Sequence, residues 1–313
     1  MKEEGMLYRP FGKLGWPVSA VGLGTWNIGN QWGAVDDATA WATVRAAFDC
    51  GVNLFDVAES YGDPNGLSEE RLGVALAGLR HRVYVVSKIG HWGERTGQGV
   101  PKTTTDMIRL CAHASLHRLR TDWHDVLLCH ESNLGDPAIY LEAFELLKQE
   151  GRLRAYGIST DSLDVLKRFN VNGTCSVAEV NYSLVNRAPE AELFPYCEEH
   201  GIAVLIRGPL RQGLLAGKYS LDSVFTDSVR AGWNKDGARR VDFEADMAKV
   251  EKLKQSIQPG VEMVTTALRF SFSHPVAPVT IPGAKSPEQA IMNAQAGNRA
   301  LTAEELAAIN AIF

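Results

Sequence analysis

The chain has 313 residues, 45% of them hydrophobic and 22% charged, with a formal net charge of −5. That is enough for one large α/β barrel or two ordinary domains around a substantial core. The acidic balance gives no general pull toward nucleic acid or an anionic membrane, and no apolar run approaches the ~20 residues of a bilayer span. The opening MKEEGMLYRPFG lacks the basic-then-apolar pattern of a secretory signal. Five scattered cysteines (Cys50, Cys111, Cys129, Cys175, Cys197) form no CxxC pair. They read as small buried hydrophobes of a reducing, cytoplasmic protein with no metal site.

In chain order, an N-terminal hairpin is expected over residues 1–17, with Gly12, Gly15 and Pro17 around its turn. Short β-branched runs then predict strands at 18–24, 53–58, 83–89, 125–130, 155–159, 176–181, 203–208 and 277–281. Between them lie stretches such as ATAWATVRAAFDCG and AIYLEAFELLKQEG, whose apolar residues recur at helical spacing. Gly51, Gly151 and Gly201 stand where helices should stop. Eight such βα units, with no linker dividing them, predict a single (β/α)8 TIM barrel over residues 1–313, with long loops at its C-terminal face. The longest irregular stretch, 218–242, contains Phe225, Arg230 and Trp233 and reads as a lid rather than a disordered flap.

Barrel chemistry sits where the strands end and the βα loops begin. Asp56, Lys88, His130, Ser159, Glu179 and Arg207 all fall at strand ends of that polarity. With Tyr61, three of them form a candidate proton-delivery group, in the segments NLFDVAESYG, VYVVSKIG and DVLLCHES. A phenol titrates near ~10, too high for an efficient acid at neutral pH. The Lys88 ammonium is expected to move that value down, Asp56 to hold Lys88 charged, and His130 to fix a carbonyl oxygen. Each residue alone has a bland reading: a surface carboxylate, a rim lysine, a satisfied core histidine. The three motifs in this order favour the site.

These segments resemble the aldo-keto reductase family, and the resemblance covers roughly residues 7–313. It implies that Asp56, Tyr61, Lys88 and His130 are a catalytic tetrad and that NADPH reduces a small-molecule aldehyde or ketone. GLGTWNIG has Asn27 where a Rossmann fingerprint needs a third glycine, and GLLAGK (213–218) is too short for a Walker A loop. The resemblance offers a different cofactor cradle. Gly24, Thr25, Trp26 and Asp56 would border the nicotinamide. Gly208, Pro209, Leu210, Gln212, Gly213 and Lys218 of RGPLRQGLLAGKY would wrap the pyrophosphate. In IPGAKSPEQAIMNA, a segment opening the adenosine-binding region 281–313, Ile281 and Gly283 would lead into Lys285 at the 2′-phosphate and Gln289 and Asn293 at the adenine.

The chain departs from the family pattern where the nicotinamide amide should be held. Ser159-Thr160 stands for Ser-Asn, Glu179 for Gln, and Arg207 for an aromatic residue. Arg207 is expected either to stack on the ring or to pair with Glu179. Trp26, Tyr61, Trp92 and His130 would line the substrate mouth, with Phe225 and Trp233 closing from the lid. Arg95, Arg230, Arg239 and Arg240 either meet an anionic substrate or are simply solvated, and the second is the plainer reading. The competing class is a nicotinamide-binding regulatory or sensor subunit, and a dehydrogenase running in the oxidative direction is a variant of the first. Substrate and oligomeric state have no signature in the sequence.

Overall fold

Tyr8–Pro10 (β1) pairs antiparallel with Pro17–Ser19 (β2), Arg9 opposite Val18. The computed structural model describes residues 5–91, 100–227, 229–256 and 262–312. After the hairpin come eight parallel strands: Leu23–Gly24 (β3), Leu54–Asp56 (β4), Tyr84–Ile89 (β5), His124–Cys129 (β6), Leu153–Ser159 (β7), Val177–Asn181 (β8), Ala203–Arg207 (β9) and Val279–Thr280 (β10). They lie side by side in sequence order. Bridges from Val21 to Thr280 and from Gly24 to Gly283 bring the first strand back to the last. The expected strand at 18–24 is thus two strands: its first half belongs to the hairpin, which reaches Ser19, and only its end joins the barrel. The chain changes partner at Ala20, whose N–H donates to the Leu7 carbonyl and whose carbonyl accepts from Thr280; at Gly22 an added Cβ would lie 2.9 Å from the Leu54 carbonyl oxygen.

Inside the barrel, Leu54, Val86, Val126, Leu128, Val177 and Leu205 are buried in one cluster with Phe11 and Val18 of the hairpin. Lys13 N–H donates to the Gly201 carbonyl and Ser19 N–H to the Asn53 side chain, so the hairpin covers the end at which β4 and β9 begin. The opposite end is left for the βα loops.

Helices Asp37–Asp49 (α1), Leu67–Ala75 (α2), Thr105–Leu119 (α3), Ala138–Gln149 (α4), Leu163–Phe169 (α5) and Leu193–Glu199 (α6) follow β3 to β8 in turn. Arg240–Ser256 (α7) and Met263–Phe272 (α8) follow β9, and Pro287–Ala296 (α9) and Ala303–Asn310 (α10) follow β10. Their starts are chemically marked: Asp36, Thr104, Ser162, Ser286 and Thr302 each accept a backbone N–H at an N-cap, and Thr302 and Glu305 close a capping box. Gly51, Gly151 and Gly201 follow the caps of α1, α4 and α6 with φ of 91°, 70° and 61°, the left-handed turn that ends a helix.

The aromatic residues of the 218–242 segment join the large core cluster outside the sheet. Trp233 stacks on Phe243 at 5.4 Å and meets Phe225 edge-on at 5.4 Å, all three buried. The Asn234 side chain ties Phe225 down, accepting from its N–H and donating to its carbonyl. Phe225 and Trp233 therefore pack against α7 instead of closing over the barrel mouth: large aromatics on a long loop gain more by burial together than by facing water. Among the described residues no helix is long and apolar enough to cross a membrane, all five cysteines are free, and no metal-binding cluster occurs.

Candidate active site

Strand register sets the site. Gly24 is level with Asp56, Lys88 with Leu128, Ser159 with Glu179, and Asn181 with Arg207, which places the polar ends of five strands around one barrel mouth. Lys88 is completely buried. Its ammonium donates to both Asp56 carboxylate oxygens at 2.6 Å, to the Val57 carbonyl at 3.1 Å and to the Tyr61 hydroxyl at 3.2 Å. Because the Tyr61 oxygen accepts from Lys88, its own proton is left to donate into the cleft. The Tyr61 ring lies 5.9 Å from Trp26 in a stacked arrangement and 6.0 Å from the His130 ring, edge-on.

The electrostatics depart from expectation at Tyr61. Burial pushes its phenol above the ordinary value, and the Lys88 charge, opposed by Asp56 and Glu179, does not reverse that. The ammonium is shared: Glu179 Oε2 lies 3.2 Å from Nζ. Burial works against the Lys88 ammonium, but Asp56 and then Glu179 hold it above the usual lysine range. His130 is pushed well below its normal value by burial, then by Lys88, His91 and Arg207, and is a neutral imidazole. Its Nδ1 is buried without a hydrogen-bond partner, and the exposed His91 ring stands 4.7 Å away.

From this corner a cleft of about 940 Å³ runs across the mouth. Gly24, Trp26, Asp56, Tyr61 and His130 line it, with Ser159, Glu179 and Arg207. Gly208, Pro209, Leu210, Gln212, Gly213 and Lys218 line it as well, as do Ile281, Gly283, Lys285, Gln289 and Asn293, with Gly283 bridged to Gly24. Between Gly208 and Gly213 four residues have positive φ: Gly208 (67°), Arg211 (47°), Gln212 (54°) and Gly213 (87°). Two consecutive non-glycine residues in that region store strain of the kind found at ligand clamps. Four buried side-chain atoms without partners lie on cleft residues: Trp32 Nε1, His130 Nδ1, Glu179 Oε2 and Gln212 Oε1. Unsatisfied polar atoms are costly, so their gathering here fits a polar ligand.

Cations line the same cleft. Lys218, Arg230 and Lys285 all line it, and Lys285 is held below the usual lysine range by burial and then by Arg230. Arg230 sits 5.6 Å from the Trp32 ring and is fixed by Asp227 at 2.7 Å. The sequence reading set Arg230 aside as solvated and missed Trp32 and His91. Their signal was faint, since each stands in irregular loop without a recognisable motif.

Other expectations need correction. Arg207 does not pair with Glu179: it donates to Asp161 at 2.5 Å, because Glu179 turns inward to Lys88 and Ser159. Thr25 and Thr160 are buried off the cleft wall, their hydroxyls donating to the Asp56 and Ser132 carbonyls. Lys88 stands behind the wall and touches the cleft residues Tyr61 and Asp56. Trp92 and Arg95 lie outside the described residues.

Eight parallel strands with a cleft at their C-terminal ends define a protein of the (β/α)8 barrel class. Residues 20–313 match the Aldo/keto reductase family, and the chain belongs to that family. It is 32% identical over 314 residues to the NADH-specific methylglyoxal reductase of Escherichia coli, covering 92% of this chain and 93% of the relative. It is 31% identical to a probable voltage-gated potassium channel subunit beta of rice, Oryza sativa, covering 93% and 91%. Among solved structures, the glycerol dehydrogenase AKR11B4 of Gluconobacter oxydans superposes with a TM-score of 0.83 at 30% identity, covering all of this chain and 95% of that one. An aldo/keto reductase of Klebsiella pneumoniae in complex with NADP and acetate matches at 0.71 and 28%, covering 98% and 95%.

Proposed function

We propose that the protein reduces an aldehyde or ketone with NADPH, with Tyr61 as the general acid. The observation that carries this reading is a tyrosine hydroxyl on the wall of a large polar cleft, hydrogen-bonded to a buried lysine that an aspartate holds at 2.6 Å. The cofactor, when bound, supplies hydride. The chain supplies the rest. Tyr61 donates its proton to the carbonyl oxygen, and the Lys88 ammonium stabilises the phenolate that remains. Neutral His130 offers a ring N–H to the same oxygen, which orients the carbonyl and stabilises its growing charge. Trp26 and the Tyr61 ring give the substrate an apolar face.

Ser159 and Glu179 would hold the nicotinamide amide, and the strained Gly208–Gly213 loop with Lys218 the pyrophosphate. Lys285 and Arg230 would meet a 2′-phosphate, which is why NADPH is favoured over NADH. Gln289 and Asn293 would face the adenine. The test is NADPH oxidation at 340 nm against aldehydes, ketones and ketosugars, with Tyr61→Phe beside wild type and cofactor binding followed by fluorescence. Wild-type turnover that falls on the order of 10²–10⁴-fold in the variant, with binding intact, supports the reading. Tight binding with no turnover on any carbonyl points instead to a sensor, the reading that the likeness to a channel subunit favours.

A further inference from the structure

An ammonium has three N–H donors, and Lys88 faces five oxygens: both of Asp56, the Val57 carbonyl, the Tyr61 hydroxyl and one of Glu179. Glu179 loses that competition. Its Oε1 accepts from Ser159 at 3.3 Å, while Oε2, although 3.2 Å from Nζ, is buried with no hydrogen-bond partner. Two buried carboxylates therefore answer one buried cation. If both are ionised the cluster carries one uncompensated negative charge, which is costly away from water.

Among the described residues, no other group around the pair neutralises it. At the end of β9, Arg207 is already paired with Asp161. Past the end of β6, His130 is neutral, and His91 lies beyond it. From β7 comes only the Ser159 hydroxyl, and from the β4–α2 loop the Tyr61 phenol, itself disfavoured as an anion. The open side is the cleft, whose wall Asp56 and Glu179 both line.

We propose that Asp56 and Glu179 share one proton while the cleft holds no positive charge, and release it when the cationic ring of an oxidised nicotinamide enters. The inference depends on nicotinamide binding at this cleft. Asp56 supports it: burial, and then the neighbouring Glu179, raise its carboxyl well above the usual range despite Lys88. The same proton has a place in turnover. Tyr61 gives its proton to the carbonyl oxygen and regains one from Lys88, and Lys88 regains one from the carboxyl pair. The pair ends one charge more negative, matching the positive charge of an oxidised nicotinamide, so the net charge of the site is the same before and after. A neutral glutamine at residue 179 could not make that compensation.

The experiment measures the dissociation constants of NADP⁺ and NADPH between pH 5.5 and 9 for wild type, Glu179→Gln, Glu179→Asp and Tyr61→Phe. Calorimetry in two buffers of different ionisation enthalpy counts the protons released. The 2′-phosphate titrates in both cofactor forms and cancels in the ratio. In wild type Kd(NADP⁺)/Kd(NADPH) should fall with rising pH, approaching tenfold per pH unit where the pair titrates, with one more proton released by NADP⁺. Glu179→Gln should flatten that dependence and raise the ratio at pH 9 about tenfold or more. Glu179→Asp and Tyr61→Phe should keep it. A flat wild-type ratio with NADPH bound normally overturns the shared proton alone. So does a slope that survives Glu179→Gln or disappears with Tyr61→Phe. Failure of both cofactors to bind at any pH overturns the proposed function, and this inference with it.

Discussion

Replacing Lys88 by Met removes a cation that faces both Asp56 and Glu179 while keeping the side chain's length and apolar stem. Lys88 is fully buried, and Asp56 and Glu179 are only 3% and 1% exposed at their side chains, so solvent cannot take its place. Breaking a buried pair by removing one partner costs about 3–5 kcal/mol. Unfolding entropies near ~2.1 cal/mol/K per residue give about 0.66 kcal/mol/K for a chain of this length, so the melting temperature should drop by about 5–8 °C at pH 8. The sign of the pH dependence is fixed. Lys88 is among the groups that lower the Asp56 pKa, so in the variant the Asp56 carboxyl sits still further above its unfolded value, and the folded state binds more protons. The penalty is therefore full at alkaline pH. It shrinks by up to about 1.4 kcal/mol per proton per pH unit as pH falls toward ~4, where both states are protonated. Thermal melts of wild type and variant at pH 5 and pH 8 read this directly. A Lys88→Met protein as stable as wild type at pH 8, or destabilised equally at both pH values, would refute the reasoning. Adding Glu179→Gln should recover part of the loss.

Lys285→Ala should weaken NADPH binding about 10–100-fold, the worth of one charge-assisted contact, and leave NADH nearly unchanged; equal losses for the two cofactors would remove the 2′-phosphate assignment. Trp233→Ala should cost about 3–5 kcal/mol, because the ring packs in the core under the 218–242 segment against Phe225 and Phe243. Thermal melts should show it, and substrate KM should stay within about twofold, whereas a large rise in KM would mean that Trp233 does close over the mouth.

The barrel was legible because its signals are local and repeated. β-Branched runs, helical spacing and the glycines at 51, 151 and 201 each follow from backbone geometry within a few residues. The first strand was misjudged for the same reason. Residues 18–24 form one apolar run, and only the pairing of Val18 with Arg9 and of Val21 with Thr280 shows that the run serves two sheets. The 218–242 segment failed differently: aromatic residues on a long loop look alike in sequence whether they face a cleft or each other. Arg230 and Trp32 joined the cleft through contacts about 200 residues apart along the chain, which no motif encodes.

The departures at residues 160, 179 and 207 were visible as letters, but their consequence depended on where the charges could go. A glutamate beside an arginine invites the short pairing, and the sequence offers nothing to prefer another. The barrel decides it through register. Ser159 and Glu179 are level on neighbouring strands, while Arg207 is level with Asn181, two residues farther along β8 than Glu179 and nearer the solvent edge, where Asp161 waits. Side chains one pleat apart on the same face of a strand meet different surroundings. Glu179 meets the interior and its lysine; Arg207 meets the rim. Substituting one neutral amide of the family pattern by a carboxylate at the deeper of these two levels changes the charge count of the site from balanced to one in excess. A proton or a cationic ligand would answer that excess, so of the departures from the family pattern the one at the deeper level is the one that adds an unanswered charge.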